Sequence, residues 1–364
     1  MKNEGNTGLR SSALSLSNGL TREAGLETAV KLEGHRRLRP PLQGGRPVLH
    51  HASNPLGGGS VIGGFIRSVL FILTSAGILH AADIRPNMLL LDGAVAGPLI
   101  VAVGERGTIL NSADDGHTWQ SAEVSAVATL TGVSFADGGR DGWAVGHDAL
   151  ILVTHDGGRS WKKQWQGENL QESFLDVLAL DAQRVIAVGA YGLFLSTENG
   201  GQTWTRRRIS EDDFHFNRLT RGPGSSLYLA GERGTLLRSY DSGTHWERID
   251  SPYDGSFYGI LPLDRTTLIA YGLRGRIFRS SDDGATWTPV ANDLRVLLAT
   301  ATVMKNGSIL FAGQSRAWLV SRDGGKTVAP WSPPVTSAVA EVIPLADGTL
   351  LALGEAGCSL LAQP

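Results

Sequence analysis

From residue 88 onward the chain alternates short apolar runs with clusters of Gly, Asp, Ser and Asn. One unit recurs throughout: an apolar run, Gly-x-x-Gly, and a second apolar run. Its first glycine falls at Gly104, Gly146, Gly189, Gly231, Gly272, Gly313 and Gly354, at spacings of 42, 43, 42, 41, 41 and 41 residues. The second glycine is Gly107, Gly192, Gly234, Gly275 and Gly357, replaced by Ala149 and Arg316 in the other two copies. These glycines are expected to supply positive φ for a tight hairpin between two strands. Each repeat carries two further strand-like runs, in the second repeat residues 130–135 and 161–165. Four short strands in each of seven tandem units is the pattern of a propeller. The expectation is therefore an all-β, seven-bladed β-propeller. The last unit ends at Pro364, just after its third strand. Residues 82–88 are expected to supply the missing outer strand, so that the N-terminal strand closes the ring and no edge is left open.

A second motif, Ser/Thr-x-Asp-x-Gly-x-Thr-Trp, follows six of the seven hairpins. It spans residues 112–119, 154–161, 197–204, 239–246, 280–287 and 321–328. Its acidic position is Asp114, Asp156, Asn199, Asp241, Asp282 and Asp323, and the last copy has Val328 where the others have Trp. A carboxylate there can accept turn N–H groups, the Gly can take a left-handed conformation, and the Trp can cover the hairpin. This Asp-box is accordingly read as structural, not as a set of metal ligands or catalytic acids.

Charge and composition narrow the function. The chain has 33 Lys and Arg against 35 Asp and Glu, unevenly distributed. Residues 1–81 carry a net +5 and residues 82–364 a net −7. An acidic body is a poor phosphate binder, which argues against nucleic acid as a partner. A single cysteine, Cys358, excludes an internal disulfide, and the nine histidines show no metal-ligand spacing. No Walker, dinucleotide or Gly-x-Ser-x-Gly motif stands in a fitting context, so no cofactor is expected. Residues 1–60 are polar and aperiodic, and are read as disordered or as the product of a mis-called start. Residues 61–81 follow a signal-peptide pattern: Arg67, an apolar run over 68–79, then His80-Ala81-Ala82. Cleavage near Ala81 or Ala82 is the expected outcome, with an uncleaved anchor as the alternative. The propeller of residues 82–364 would then be exported, to a periplasm or a lumen.

Propeller geometry places the loops joining strands 2 and 3 on one face, together with the blade-to-blade crossings. The Asp-boxes lie on the other. The first face offers Glu105-Arg106, His147-Asp148, Tyr191, Arg233, Arg274 and Arg316, and crossings bearing Phe174, Phe214 and Tyr253. Aromatics and arginines anchor protein interfaces. Tyr191, Arg233, Arg274, Phe214 and Tyr253 are the candidate partner-binding residues. In the innermost strands one register holds Asp92, Gly132, Asp176, Arg218, Gly259, Thr300 and Glu341. Its four charges, Asp92, Asp176, Arg218 and Glu341, should ring the central channel and line it with water, since uncompensated burial is costly.

The stretches Gly-Glu-Arg-Gly-Thr-Ile-Leu, Gly-Trp-Ala-Val-Gly-His-Asp and Ala-Val-Gly-Ala-Tyr-Gly-Leu-Phe resemble the photosystem II stability/assembly factor family, above all its bacterial relatives with Asp-box repeats. The resemblance covers about residues 88–364. It implies a lumenal or periplasmic propeller that is not an enzyme and that binds a membrane or exported protein during assembly. Sialidases share the Asp-box and supply the enzyme alternative, a glycoside hydrolase with a channel-mouth site at Asp92, Asp176, Arg218, Tyr258 and Glu341. Its three-arginine carboxylate clamp is missing from the ring, and Ile84-Arg85-Pro86 has the wrong order for its N-terminal motif.

Overall fold

The structure, a computed structural model, describes residues 88–364. The expected extension, the export signal and the closing strand over 82–88, apart from Met88, lie outside the described residues. Seven antiparallel sheets follow one another along the chain. Blade 1 comprises Leu90–Ala96, Leu99–Gly104, Ile109–Ser112 and Gln120–Ser121. Blade 3 (Phe174–Ala179, Val185–Gly189, Phe194–Thr197, Thr205–Arg206) and blades 4 to 6 repeat that order. Blade 2 gains a fifth strand, because Glu123–Val124 from the preceding crossing pairs in parallel with Ser160–Gln166. Among the described residues blade 7 has three strands, Val339–Pro344, Leu350–Gly354 and Gly357–Leu361. Each inner strand packs on the next, and that of blade 7 returns to blade 1, which closes the ring.

The core is divided by seam. Each pair of neighbouring blades shares one apolar cluster, from Val101, Val103, Leu130 and Leu152 between blades 1 and 2 to Leu90, Leu110, Leu351 and Leu353 between blades 7 and 1. Met88 packs at the edge of that last cluster. Phe174, Phe216 and Phe257 open their inner strands fully buried between blades, so the crossings keep these aromatics for packing.

The second glycine of each hairpin takes positive φ as expected, at Gly107, Gly192, Gly234, Gly275 and Gly357, but the first does not. Gly104 and Gly189 are extended, with φ of −172° and −169°. What each requires is space. A β-bulge shifts the register of every inner strand, as between Leu90 and Asp92. The carbonyl before the bulge then accepts an N–H from the residue after the glycine, as Leu89 does from Glu105 (3.0 Å) and Leu297 from Gln314 (3.0 Å). A Cβ on Gly104 or Gly313 would lie 2.0 Å from that carbonyl oxygen. The left-handed conformation falls on the next positions instead, at Arg106 (φ 56°), Tyr191 (56°), Arg233 (48°) and Arg274 (60°), each followed by a glycine of positive φ.

Candidate functional site

The turns between strands 2 and 3 present side chains from a strained backbone. A non-glycine residue in the left-handed region is uncommon and costs about 1–3 kcal/mol. Here Arg106, Tyr191, Arg233 and Arg274 occupy it, and all four are exposed. Two devices fix these turns. In blades 1, 4 and 7 the glutamate after the first glycine caps the chain entering the inner strand: Glu105 accepts from Leu89 N–H (3.2 Å), Glu232 from His215 N–H (2.9 Å) and Glu355 from Ala338 N–H (3.3 Å). The next crossing also supports the turn, with Gly192 N–H donating to Phe214 O (3.0 Å) and Gly234 N–H to Gly255 O (2.9 Å).

Three of the five candidate partner-binding residues meet through this arrangement. Tyr191 is 73% exposed and stands edge-on to His215, with ring centroids 4.8 Å apart. The Arg233 guanidinium lies 5.4 Å from the centre of the Phe214 ring. His215 Nδ1 is 3.5 Å from Glu232, which links the two contacts. Arg274 occupies the same position one blade further on and is exposed. Tyr253 needs correction as a surface residue. Its ring packs on Phe257 and stacks on Phe278 (centroids 5.9 and 6.1 Å), so it is largely a seam residue.

Two open clefts flank this patch in equivalent places. One, of about 440 Å³, lies beside Tyr191 and is lined by Glu172, Arg206, Arg208 and Asp212. The other, of about 330 Å³, lies in blade 5 and is lined by Arg274, Arg276, Asn292 and Arg295. The sequence reading passed over the run Arg206-Arg207-Arg208 and the side chains Arg276 and Arg295. Three successive arginines in an acidic body were the available signal. Arg206 pairs with Glu172, Arg248 with Asp212 (3.0 Å), and Arg207 lies over Phe194. Among the described residues Arg233, Arg274, Arg276 and Arg295 form no ion pair, although Asp293 also lines the second cleft.

The axis does collect the four predicted charges. Asp92, Asp176, Arg218 and Glu341 are withdrawn from solvent, the most open side chain, Arg218, being 23% exposed. Each follows its strand's bulge; the two aspartates turn into seams, while Arg218 reaches across the axis to blades 1 and 7. Asp92 accepts Val133 N–H from blade 2 (2.8 Å), and Asp176 accepts Leu219 N–H from blade 4 (2.7 Å). Thr300 donates to Glu341 (2.8 Å), and Glu341 Oε2 lies 2.6 Å from Arg218, a charge contact without hydrogen-bond alignment. An aromatic at this centre is Tyr271, which enters from a second strand where Gly259 leaves room. The Asp-boxes behave as turn staples. Asp114 takes the Ser112 hydroxyl (2.8 Å), Thr118 N–H (2.8 Å) and the Thr118 hydroxyl (2.6 Å), while Trp119 donates to Gly116 O (3.0 Å). Asn199 makes the equivalent contacts with Thr197 and Thr203.

With this geometry described, known proteins give the chain its family. The family model "Photosynthesis system II assembly factor YCF48" matches residues 97–185 and 162–295, together more than half of the chain. The chain belongs to this family. The photosystem II assembly lipoprotein Ycf48 of Synechococcus sp. strain CC9902 is 27% identical over 156 residues, 41% of this chain and 46% of that protein. The chain spans about half or less of the length of the curated relatives it matches. A solved structure, YCF48 bound to D1 peptide, superposes with a TM-score of 0.62 at 21% identity, covering 76% of this chain and 92% of that one. An ancestral GH74 enzyme reaches 0.63 at 13% identity, covering 76% and 45%. At such identities both structures speak for the propeller fold alone. Among the described residues no helix is long and apolar enough to cross a membrane.

Proposed function

We propose that this propeller is an exported, non-enzymatic scaffold that holds a membrane or exported protein during its assembly, using the turn face of blades 3 to 5. The observation that carries the reading is the contiguous set Tyr191, His215, Phe214 and Arg233, with Arg274 in the next blade. An exposed aromatic and unpaired arginines are the residue types that dominate binding energy. Tyr191, Arg233 and Arg274 take the same left-handed backbone position in three successive blades, so equivalent turns present them. The structurally similar YCF48 is bound to a D1 peptide. By that likeness the partner offers an extended segment, and the free arginines favour one that carries carboxylates. The glycoside hydrolase reading loses support, because its carboxylates are spent on backbone N–H groups and on Arg218 away from solvent.

The test is the double variant Arg233→Ala with Arg274→Ala. Both residues are exposed and off the seams, so folding should be unchanged. Recovery of the partner from a periplasmic or lumenal pull-down should fall by at least about 2 kcal/mol of binding, the scale of an interface hot spot. Asp241→Ala in an Asp-box is the control, expected to lower the melting temperature while the surviving folded protein still binds. Undiminished recovery by the double variant would reduce the patch to a solvated surface.

A further inference from the structure

The axis gathers three carboxylates around a single guanidinium, all withdrawn from water. Asp92 comes from blade 1, Asp176 from blade 3, Arg218 from blade 4 and Glu341 from blade 7. Blade 5 adds the Tyr271 hydroxyl and blade 6 the Thr300 hydroxyl, while blade 2 contributes Gly132, without a side chain, and the Val133 N–H. With every acid ionised the cluster would carry two uncompensated negative charges in a poorly solvated place, which is strongly unfavourable. The three acids are unequally provided for. Glu341 has the close contact to Arg218 at 2.6 Å and the Thr300 hydroxyl. Asp176 accepts two backbone N–H groups, from Val177 and Leu219 (2.8 and 2.7 Å). Asp92 accepts one, lies 3.9 Å from Arg218, and faces both other carboxylates.

We propose that the propeller axis is a proton-binding site centred on Asp92, and that release of this proton weakens the ring. The neutral acid keeps the Val133 N–H as a donor to one oxygen and removes the excess charge, so the seam between blades 1 and 2 is intact while the proton is bound. Deprotonation places a third negative charge beside Glu341 and Asp176 at the point where all seven inner strands converge. Burial, reinforced by Glu341 and Asp176 and opposed by Arg218, pushes Asp92 up to about 8, and burial raises Asp176 to about 6. An unfolded chain releases its aspartate protons near pH 4. Between that value and about 8 the folded protein holds more protons than the unfolded one, so stability falls as pH rises across this range.

Unfolding of the full chain and of Asp92→Asn, followed at several pH values, tests this. Asparagine can accept from Val133 and is neutral at every pH. The wild-type folding constant should fall relative to Asp92→Asn by up to about tenfold per pH unit between about pH 5 and about pH 8. Parallel stability curves for the two proteins would overturn the proposal, since a purely structural Asp92 costs the same at each pH. A second readout needs no variant. Infrared spectra of the native protein near neutral pH should show a buried carboxylic-acid carbonyl band that bleaches as the pH is raised past about 8. Absence of that band at neutral pH would equally sink the idea.

Discussion

A single glycine position explains much of the repeat. In all seven blades the glycine ending the second strand lies against a carbonyl that has been turned over by the adjoining bulge, so it is the side chain, not the torsion, that is forbidden. Gly313→Ala would set a Cβ 2.0 Å from the Leu297 oxygen, and backbone cannot step aside as a flexible side chain can. Gly307 has positive φ, at 80°, but open space around its Cβ position. Denaturant unfolding should therefore separate the two substitutions. Gly313→Ala should cost about 3 kcal/mol or more, as an overpacked site does. Gly307→Ala should cost only about 1 kcal/mol for the left-handed backbone. Similar losses would show that conformation and not contact explains the conserved spacing within this chain. The glycines were legible in the sequence because they recur, while their reason was not, since a bulge leaves no mark on the hydrophobic pattern. The same holds for Tyr271. It looks like one more apolar strand residue, and only the gap left by Gly259, twelve residues earlier, brings its hydroxyl to the axis.

At the scale of the element, the Asp-box hairpin serves two blades at once. Within its own blade the carboxylate closes the turn, and the hydroxyl and N–H of Thr286, with the Ser280 hydroxyl, hold Asp282 down to about 2. A group depressed in the folded state stabilises it above the ordinary carboxylate range and loses that contribution as pH falls towards its folded value. Asp282→Ala should accordingly melt below wild type at neutral pH, with the gap narrowing as the pH approaches about 2. A gap that stays constant across that range would assign the loss to packing instead. The hairpin's carbonyls meanwhile receive the neighbouring blade. Asn111 donates to Gly158 O (2.8 Å), Gln164 to Gly200 O (2.8 Å), Arg207 to Gly243 O (3.0 Å), Arg238 to Asp283 O (2.7 Å) and Arg279 to Gly324 O (2.9 Å). The motif announced the turn from sequence alone. These clasps stayed hidden because their donors differ in type and in strand, so no period reveals them.

Across the whole molecule the clasps divide the ring unequally. They join five successive seams, from blades 1 and 2 to blades 5 and 6. Among the described residues blade 6 finds no such carbonyl in blade 7, and the residue at the clasp position there is Val320. At the other side of blade 7, the side chains of Leu351 and Leu360 lie against Gly116. Among the described residues blade 7 is held by its two apolar clusters, by Glu341 at the axis and by the contact of Lys305 with Ala346 O. A buried hydrogen bond contributes about 0.5–1.5 kcal/mol, and regions short of such bonds open before the global transition. Hydrogen exchange under native conditions should therefore release the amides of Leu350–Gly354 and Gly357–Leu361 before those of Val185–Gly189, which sit between two clasped seams. Raising the pH from about 5 to about 8 should widen that difference, because an ionised Asp92 repels Glu341, the axial carboxylate of blade 7. If blade 3 exchanges as early as blade 7, the clasps contribute nothing to the order of opening, and the ring is secured by apolar packing evenly around its circumference.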